Sequence, residues 1–393
     1  MSYIQNFDRR MFLDINGAPA VPYQIIPPNT YYTTPINSCV SPINPYQFSY
    51  DQFTSQNPST VMNFKIRYLV SNVMNIEGNF DIELSDPWGI IIIDDIIWVA
   101  NSGSGFVSGY NLIGEFYLSI NAMGSDNNIV RPSGLAYNSS DDSFILSRGP
   151  IREPSLLLIA SLDGSISGYN PIVDAFNSKL LVDRGPQNAV YTGIEVVSLI
   201  DDDQIRINLL YVTDFFNKTI DVFTGNLEKL DYYFVDEFSS DPIPPDFSPC
   251  NIVALDQYLF VIYAKQNPSD LEFVIGGTGT GFISIFSFDG SFIKRFYSRG
   301  VLNAPYDIAY VPSSYGYPAG SMMISNYGDG SLNIFDVDGN YISTISDASQ
   351  NTINFGGLRG LCHNSAQHRL TYFTTTTNYL NNSFVGTLFN TLS

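Results

Sequence analysis

The chain has 393 residues, a formal net charge of −20, and 38 acidic against 18 basic side chains. This balance excludes a typical nucleic-acid interface, which requires clustered Lys and Arg, and it argues against binding to anionic membranes for the same reason. No stretch reaches the roughly 18 apolar residues that span a bilayer. No hydrophobic segment follows Arg9 and Arg10, so no secretory signal peptide is predicted.

The first 60 residues differ in composition from the rest of the chain. They are rich in Pro, Tyr, Asn and Gln, and their hydrophobic periodicity is weak. The prolines disfavour helix and central strand, whereas many aromatic and few charged residues are unlike an ordinary disordered tail. We therefore predict an extended arm over residues 1–60 that packs on its own domain, on a neighbouring subunit or on a larger assembly. A plain tail is the alternative.

From residue 61 to residue 393 the chain repeats one unit of short apolar runs separated by turn residues. Each unit opens with Pro or Gly before a small apolar run, as in Asp86-Pro-Trp-Gly and Ala304-Pro-Tyr-Asp. Six openings can be counted, at intervals of roughly 45–60 residues. Within one unit, Asp329-Gly330 is typical of a two-residue hairpin turn of type I′, which needs positive φ at both central positions. Such units, with four strands each, predict a β-propeller.

The propeller is predicted to close through its N-terminal strand. Residues 64–70 form a strand-like run that belongs to no unit, and the sixth unit, which starts near Leu358, supplies only three strands. Closure removes the exposed strand edges that would otherwise pair with other chains. The predicted fold is therefore all-β, a six-bladed propeller of four-stranded antiparallel blades over residues 61–393.

Several repeated segments resemble a known family. They are Asp86-Pro-Trp-Gly-Ile, Asp163-Gly-Ser-Ile-Ser-Gly-Tyr-Asn, Leu302-Asn-Ala-Pro-Tyr and Asn326-Tyr-Gly-Asp-Gly. Together they resemble the NHL-like six-bladed propellers, many of which are bacterial, exported and of unassigned activity. The chain departs from that pattern where Tyr306 and Arg359 replace a Trp-like residue and Asp307 replaces Gly. The resemblance implies the fold but no reaction.

A binding face is predicted at one mouth of the central channel. In an up-and-down blade, the loop before the first strand and the turn between the second and third strands lie on the same face. Tyr, Asn, Ser and Gly dominate these loops, and this mixture suits adaptable recognition with rigid aromatic anchors. For the aromatic residues, packing between blades is the alternative. The predicted binding residues are Trp88, Asn101, Arg131, Asn251, Tyr306, Asn326, Tyr327 and Arg359.

A cation site at the same mouth is a second hypothesis. Hard cations such as Ca²⁺ bind carboxylate and amide oxygens, and Asp214 and Asp307 are the predicted metal ligands. The alternative is that no cofactor binds and that Asn and Asp occupy these turns because they hydrogen-bond their own backbone. That alternative explains Asn251 and Asp307 least well, because they stand in the openings of first strands.

The predicted function is that of a non-enzymatic binding or structural module that recognises a protein or a glycan, and no catalytic residue is identified. The alternative is a divalent-cation-dependent hydrolase of lactones or esters, with its ion at the channel mouth. The high usage of Asn, Ile and Tyr resembles that of an AT-rich genome. Together with the arm and the lack of a signal peptide, it suggests a virion-associated protein of a large DNA virus.

The chain contains three cysteines, Cys39, Cys250 and Cys362. An odd number gives no support to a disulfide framework, and free Cys behaves as a small buried apolar residue. All three are therefore predicted to be free buried thiols.

Overall fold

The computed structural model describes residues 63–200, 206–363, 370–377 and 381–391. The predicted arm over residues 1–60 lies outside these ranges. The described residues form antiparallel four-stranded sheets arranged in a ring, so the prediction of an all-β, six-bladed propeller is confirmed. Their only helical segments are three-residue 3₁₀ turns, Ser125–Asn127, Gly185–Gln187 and Ser313–Tyr315, none of which could traverse a bilayer.

The strands of the first three blades are numbered here in chain order. The chain begins with β1 (Phe64–Ser71) and β2 (Asn79–Phe80). Blade 1 contains β3 (Pro87–Ile93), β4 (Ile96–Asn101), β5 (Phe106–Asn111) and β6 (Phe116–Asn121). Blade 2 contains β7 (Pro132–Tyr137), the inserted hairpin β8 (Ile145–Arg148) and β9 (Ile151–Pro154), then β10 (Leu157–Ser161), β11 (Ser165–Tyr169) and β12 (Lys179–Asp183). Blade 3 contains β13 (Tyr191–Ile200), β14 (Arg206–Asp214), β15 (Thr219–Thr224) and β16 (Lys229–Leu230).

The remaining blades follow the same order. Blade 4 contains β17 (Phe247–Leu255), β18 (Tyr258–Asn267), the extra strand β19 (Asp270–Val274), β20 (Gly281–Phe286) and β21 (Phe292–Ser298). Blade 5 contains β22 (Pro305–Tyr310), β23 (Met322–Asn326), β24 (Leu332–Phe335) and β25 (Tyr341–Thr344). Blade 6 contains β26 (Leu358–His363), β27 (Thr371–Thr377) and β28 (Asn382–Asn390).

Strand β1 completes blade 6 and closes the ring, as predicted. It pairs antiparallel with β28, with Phe64 opposite Asn390, and the short β2 adds to its outer edge in parallel. The Phe64 side chain is 1% exposed, and its ring centre lies 5.0 Å from that of Tyr315 in blade 5. The N-terminal strand is therefore joined to blade 6 by backbone hydrogen bonds and to blade 5 by aromatic packing.

Burial falls from the first strand of a blade to the last. Every residue of β17 is buried, whereas Tyr341 at the start of β25 is exposed. First strands pack on both faces between neighbouring blades, so their sequences read as continuous apolar runs instead of alternating ones. This explains the run of four isoleucines at the end of β3, and it places the apolar core between the blades.

The hairpin at Asp329-Gly330 forms, but its turn differs from the prediction. The Asn326 amide donates to the Ser331 carbonyl oxygen and the Gly330 amide to the Asn326 carbonyl oxygen, so the loop has four residues instead of two. Only Gly330 has positive φ, at 72°. The Asp329 carboxylate accepts bonds from the Ser331 amide and hydroxyl and holds the loop closed. The type I′ prediction was therefore wrong, although the hairpin itself is present.

The connection over residues 231–246, between β16 and β17, is held against blade 4 by Arg295 of β21. Arg295 donates to both carboxylate oxygens of Asp236, at 2.7 Å and 3.2 Å, and to the Asp241 carbonyl oxygen at 3.2 Å. Its guanidinium carbon lies 4.9 Å from the centre of the Phe282 ring. The Arg295 and Asp236 side chains are 3% and 7% exposed, so this ion pair is shielded from water.

The cysteines agree only in part with the prediction. Cys250 is a free, buried thiol, as expected. Cys362 is buried but disulfide-bonded, so the prediction of a free thiol was wrong there. Cys39 lies outside the described residues.

Candidate functional site

Equivalent residues of the six first strands meet around the centre of the propeller, two positions after each unit opening. Four of them are glycines; a Cβ atom on Gly134, Gly193 or Gly360 would collide with a neighbouring blade, and one on Gly89 would fit only tightly. On Gly193 it would lie 2.7 Å from the Asn251 Cα atom, and on Gly360 2.5 Å from the Trp88 carbonyl oxygen. Only two members of this ring carry polar side chains. The six residues are Gly89, Gly134, Gly193, Asn251, Asp307 and Gly360.

Asp307 of β22 links three blades through its carboxylate. Its Oδ2 accepts a hydrogen bond from the Leu361 amide of blade 6 at 2.8 Å. Its Oδ1 accepts one from Asn251 Nδ2 of blade 4 at 3.2 Å and another from the Ile308 amide at 2.9 Å. Burial raises the pKa of Asp307 to about 7, although the backbone hydrogen bonds act in the opposite direction. The carboxyl therefore titrates near neutral pH.

Glu195 of β13 is a second buried carboxyl, and it lines a central cavity together with Asp307. Its Oε1 accepts a hydrogen bond from the Val196 amide at 3.1 Å, and its Oε2 accepts one from the Ala254 amide of blade 4 at 3.0 Å. Burial raises the pKa of Glu195 to about 8, and the negative charge of Asp307 adds to this effect. The sequence analysis missed Glu195. Its sequence signal is a single acid inside a mostly apolar strand, among residues that are buried on both sides of it.

These two carboxyls, with Asn251 and His363, line a cavity between the first strands. Its volume is about 50 Å³, enough for a few water molecules or an ion. Pockets that bury a small organic ligand typically measure about 300–1,000 Å³. In this conformation the cavity is therefore too small to enclose a lactone or an ester substrate.

Tyr306 of β22 crosses the channel above this cavity. Its hydroxyl donates to the Thr192 carbonyl oxygen of blade 3 at 3.1 Å and approaches the Ser133 carbonyl oxygen of blade 2 at 3.3 Å. Its ring meets the Trp88 ring of blade 1 edge to face, with 5.8 Å between the ring centres. Both aromatic side chains are 6% exposed. Tyr306 thus joins blade 5 to three other blades and obstructs the channel at this level.

Replacing Tyr306 with Phe should lower the free energy of unfolding by about 1–3 kcal/mol, because buried carbonyl oxygens lose their donor. Urea unfolding monitored by circular dichroism measures this loss. Tyr341→Phe is the matched control, because its hydroxyl bonds Thr344 at an exposed position. Equal stability of the two variants would contradict a bridging role for the Tyr306 hydroxyl.

Arg359 fills the mouth next to Tyr306. Its guanidinium carbon lies 4.3 Å from the centre of the Trp88 ring and 4.7 Å from that of the Tyr327 ring. Its Nη1 donates to Asp86 Oδ1 at 2.6 Å, and Trp88 Nε1 donates to Asp86 Oδ2 at 3.0 Å. Burial alone would raise the pKa of Asp86, but the Arg359 charge and these hydrogen bonds outweigh it and lower the pKa. The cation is thus neutralised and stacked within the mouth.

Arg359→Lys should destabilise the protein by about 1–2 kcal/mol, because an ammonium cannot stack between two rings as a planar guanidinium does. Thermal unfolding at neutral pH measures this loss. Arg299→Lys provides the comparison, because Arg299 stacks on the Phe282 ring at 4.9 Å but is 49% exposed. A loss at position 359 no larger than that at position 299 would count against the importance of the stack.

The structure places the predicted site residues in three settings. Trp88, Tyr306 and Arg359 form one buried cluster that the half-buried Tyr327 joins, and Asn251 contacts Asp307 below it. Arg131 is exposed at the rim, 5.9 Å from the centre of the Phe273 ring on β19. The remaining residues bond within their own hairpins or nearby connections, as shown by the partners of Asn101, Asp214 and Asn326.

The two predicted metal ligands thus have different surroundings. The Asp214 carboxylate accepts hydrogen bonds from the Val190 amide and from the backbone and side-chain nitrogens of Asn217, which stabilise the turn after β14. Asp307 instead faces the channel cavity. Within the described ranges, no group of three or more His, Cys, Asp or Glu residues is arranged to hold a metal ion.

The fold is shared with a solved structure of very different sequence. A protein of unknown function from Bacteroides thetaiotaomicron has a TM-score of 0.52 and 10% identity, over 84% of this chain and 76% of that one. At this identity the likeness concerns the fold alone. No protein-family model matches the chain. The comparisons therefore support the β-propeller architecture of the resembled family without identifying the NHL-like type.

Three curated relatives are much closer in sequence, and all are uncharacterized proteins of Acanthamoeba polyphaga mimivirus. Protein L690 is 34% identical over 84% of this chain and 86% of its own length, and protein R648 is 37% identical over 80% and 77%. Protein R640 is 39% identical over 75% of this chain, which spans only about half of that relative, 54%. The chain therefore belongs to the same protein family as the mimivirus proteins L690 and R648.

Proposed function

We propose that this propeller is a non-enzymatic binding and structural module that recognises a protein partner. The observation that carries the proposal is that the channel mouth is filled. Arg359 and Tyr306 both pack against Trp88 there and obstruct entry. A glycan site at this mouth would need aromatic faces open to solvent, but Trp88 and Tyr306 are buried there. Large apolar side chains are instead exposed on the outer parts of the blades, and such positions are typical of protein contacts.

The viral relatives and the composition support a more specific proposal, that the chain is a component of a virus particle. Quantitative proteomics of purified particles of the encoding virus should then find the chain in amounts comparable with known structural proteins. Cross-linking within the particles should join it to a partner protein. Particles that lack the chain would contradict the structural role, and a chain without any cross-linked partner would contradict the binding role.

One observation favours a second candidate function. Glu195 and Asp307 are buried carboxyls with raised pKa values, and such groups are frequent in catalytic sites. A cation-dependent hydrolase would use the Asp307 carboxylate as a ligand. Thermal unfolding in EDTA and then with millimolar Ca²⁺ separates the proposals. A binding module should show no shift, whereas a ligand at about 100 times its dissociation constant stabilises by about 2.7 kcal/mol.

A further inference from the structure

An apolar face with acidic surroundings lies where the outer parts of blades 6 and 1 meet. Six large apolar side chains are exposed there by 41–71% of their surface. Isolated exposed apolar residues are ordinary, but a cluster of them marks an interaction site. We call this set the blade 1 outer face. Its members are Met74, Ile76, Phe80, Ile82, Ile113 and Phe116.

Two hydrogen bonds join the segment around β2 to the β5–β6 hairpin. Asn79 Nδ2 donates to the Ile113 carbonyl oxygen at 3.4 Å, which joins β2 to the turn between β5 and β6. The Tyr110 hydroxyl donates to Asp81 Oδ2 at 2.6 Å, and the Tyr110 ring centre lies 6.3 Å from that of Phe116. The segment that carries Phe80 and Ile82 is therefore held against the hairpin that carries Ile113 and Phe116.

The turns that carry these side chains are firmly packed. Gly78 and Gly114 both have positive φ, and a Cβ atom on either would lie within 3.0 Å of the Leu69 backbone. Their two turns therefore rest on the same residue of β1. The exposed apolar side chains consequently project from an ordered support, which lowers the entropic cost of binding.

The stretch of sequence that carries this face has charges of one sign only. Between Arg67 and Arg131 the sequence contains eight acidic residues and no Lys, Arg or His. Glu77 and Glu115 are exposed beside the apolar side chains, and Glu83 is half-buried. Among the described residues, none of these three glutamates has a cation within ion-pair distance. A negative potential is therefore left uncompensated around an apolar centre.

We propose that the blade 1 outer face docks a basic amphipathic segment of a partner protein, with apolar side chains on one face and Lys or Arg side chains beside them. Charge complementarity identifies this partner chemistry, because opposite potentials accelerate association and exclude like-charged proteins. A second copy of this chain carries the same net charge of −20 and is disfavoured. The proposal rests on the proposed binding function, to which it adds a surface and a class of partner.

The first test measures binding of a defined probe to the full chain. The probe is a fluorescent 18-residue peptide of Leu and Lys with one apolar helical face, titrated by fluorescence anisotropy at low and moderate salt. Ile82→Ser combined with Phe116→Ser should weaken binding at least tenfold, which corresponds to about 1.4 kcal/mol, because both variants remove apolar surface that the peptide would bury. Glu77→Gln combined with Glu115→Gln should weaken binding about two- to fivefold at low salt and reduce its salt dependence.

Matched controls separate this face from general attraction to an acidic protein. Ile293→Ser combined with Val337→Ser removes apolar side chains that are 46% and 52% exposed on blades 4 and 5, and it should leave binding unchanged. A peptide with Ser in place of Leu should bind more weakly, and one with Glu in place of Lys should not bind. Equal weakening by the control pair, equal binding of the Leu and Ser peptides, or no binding at all would overturn the proposal.

Two further readouts keep the alternatives apart. Sedimentation velocity should show that the chain does not self-associate through this face. A dimer that Ile82→Ser with Phe116→Ser dissociates would overturn the proposal, because the occupant of the face would then be a second copy of the chain and not a basic partner. Cross-links in the particle that place the partner on another face would overturn this inference and leave the proposed function intact. A complete lack of cross-linked partners would instead remove the proposed function.

Discussion

Replacing Arg295 with Ala is expected to lower the free energy of unfolding by about 3–5 kcal/mol, because it leaves the Asp236 carboxylate buried without its cation. The ion pair is 2.7 Å long and nearly inaccessible to water. The same substitution removes the hydrogen bonds to the Asp241 carbonyl oxygen and to Ser298 Oγ. Urea unfolding measures the loss, and limited proteolysis should show earlier cleavage within residues 231–246.

Two variants make this expectation specific. Lys265→Ala breaks the ion pair of Lys265 with Asp246, whose side chains are 37% and 49% exposed, and should cost less than about 1 kcal/mol. Arg295→Met combined with Asp236→Leu should recover part of the stability, because apolar side chains can replace a buried ion pair at little cost. If Arg295→Ala cost no more than Lys265→Ala, the connection would not depend on the buried pair.

The protein is also expected to become less stable by several kcal/mol as the pH rises from about 5.5 to about 8.5. Burial raises the pKa of Glu195 to about 8 and that of Asp307 to about 7, whereas unfolded chains have values near 4. The folded state therefore holds these protons more tightly. The stability contributed by these protonated carboxyls is complete below their pKa values in the unfolded chain. It is lost as the pH rises through their pKa values in the folded protein.

Chemical unfolding at a series of pH values tests this expectation. Glu195→Gln stays uncharged at every pH and should flatten the profile above about pH 6, and Asp307→Asn should act in the same direction. Glu228→Gln, at an exposed position, is the matched control and should keep the parent profile. His363 also lines the cavity, so His363→Asn measures the imidazole contribution separately. A parent profile that is flat between these pH values would contradict the raised pKa values.

The largest part of the architecture could be predicted from local sequence. The six repeated openings and the turn residues between apolar runs define four-stranded units. The N-terminal strand belongs to no unit and the last unit lacks one strand, so the two complete each other. These features depend only on residues close together in the sequence, so they can be recognised before the fold is known. The loop at Asp329-Gly330 shows the limit, because the side chain of Asp329 stabilises a longer turn than its sequence suggests.

The contents of the channel could be predicted only in part. Asn251 and Asp307 stood out because they stand in the openings of first strands, where hydrogen bonding to their own turn backbone explains them least well. Glu195 was missed because no repeated pattern points to it: the equivalent positions of the other five first strands hold no acid. Similarly, only the fold brings Arg295, 59 residues beyond Asp236, against the 231–246 connection.

The sequence by itself determined the repeat, the number of blades and the closing strand, because turn chemistry and apolar patterning act over a few residues. Tertiary structure alone decided which polar groups meet. Blade-to-blade packing placed Glu195 and Asp307 in one cavity, closed the channel with Tyr306, and left the blade 1 outer face exposed. Those outcomes depend on close packing between residues far apart in the chain, where glycines allow backbones to touch and larger side chains keep them apart.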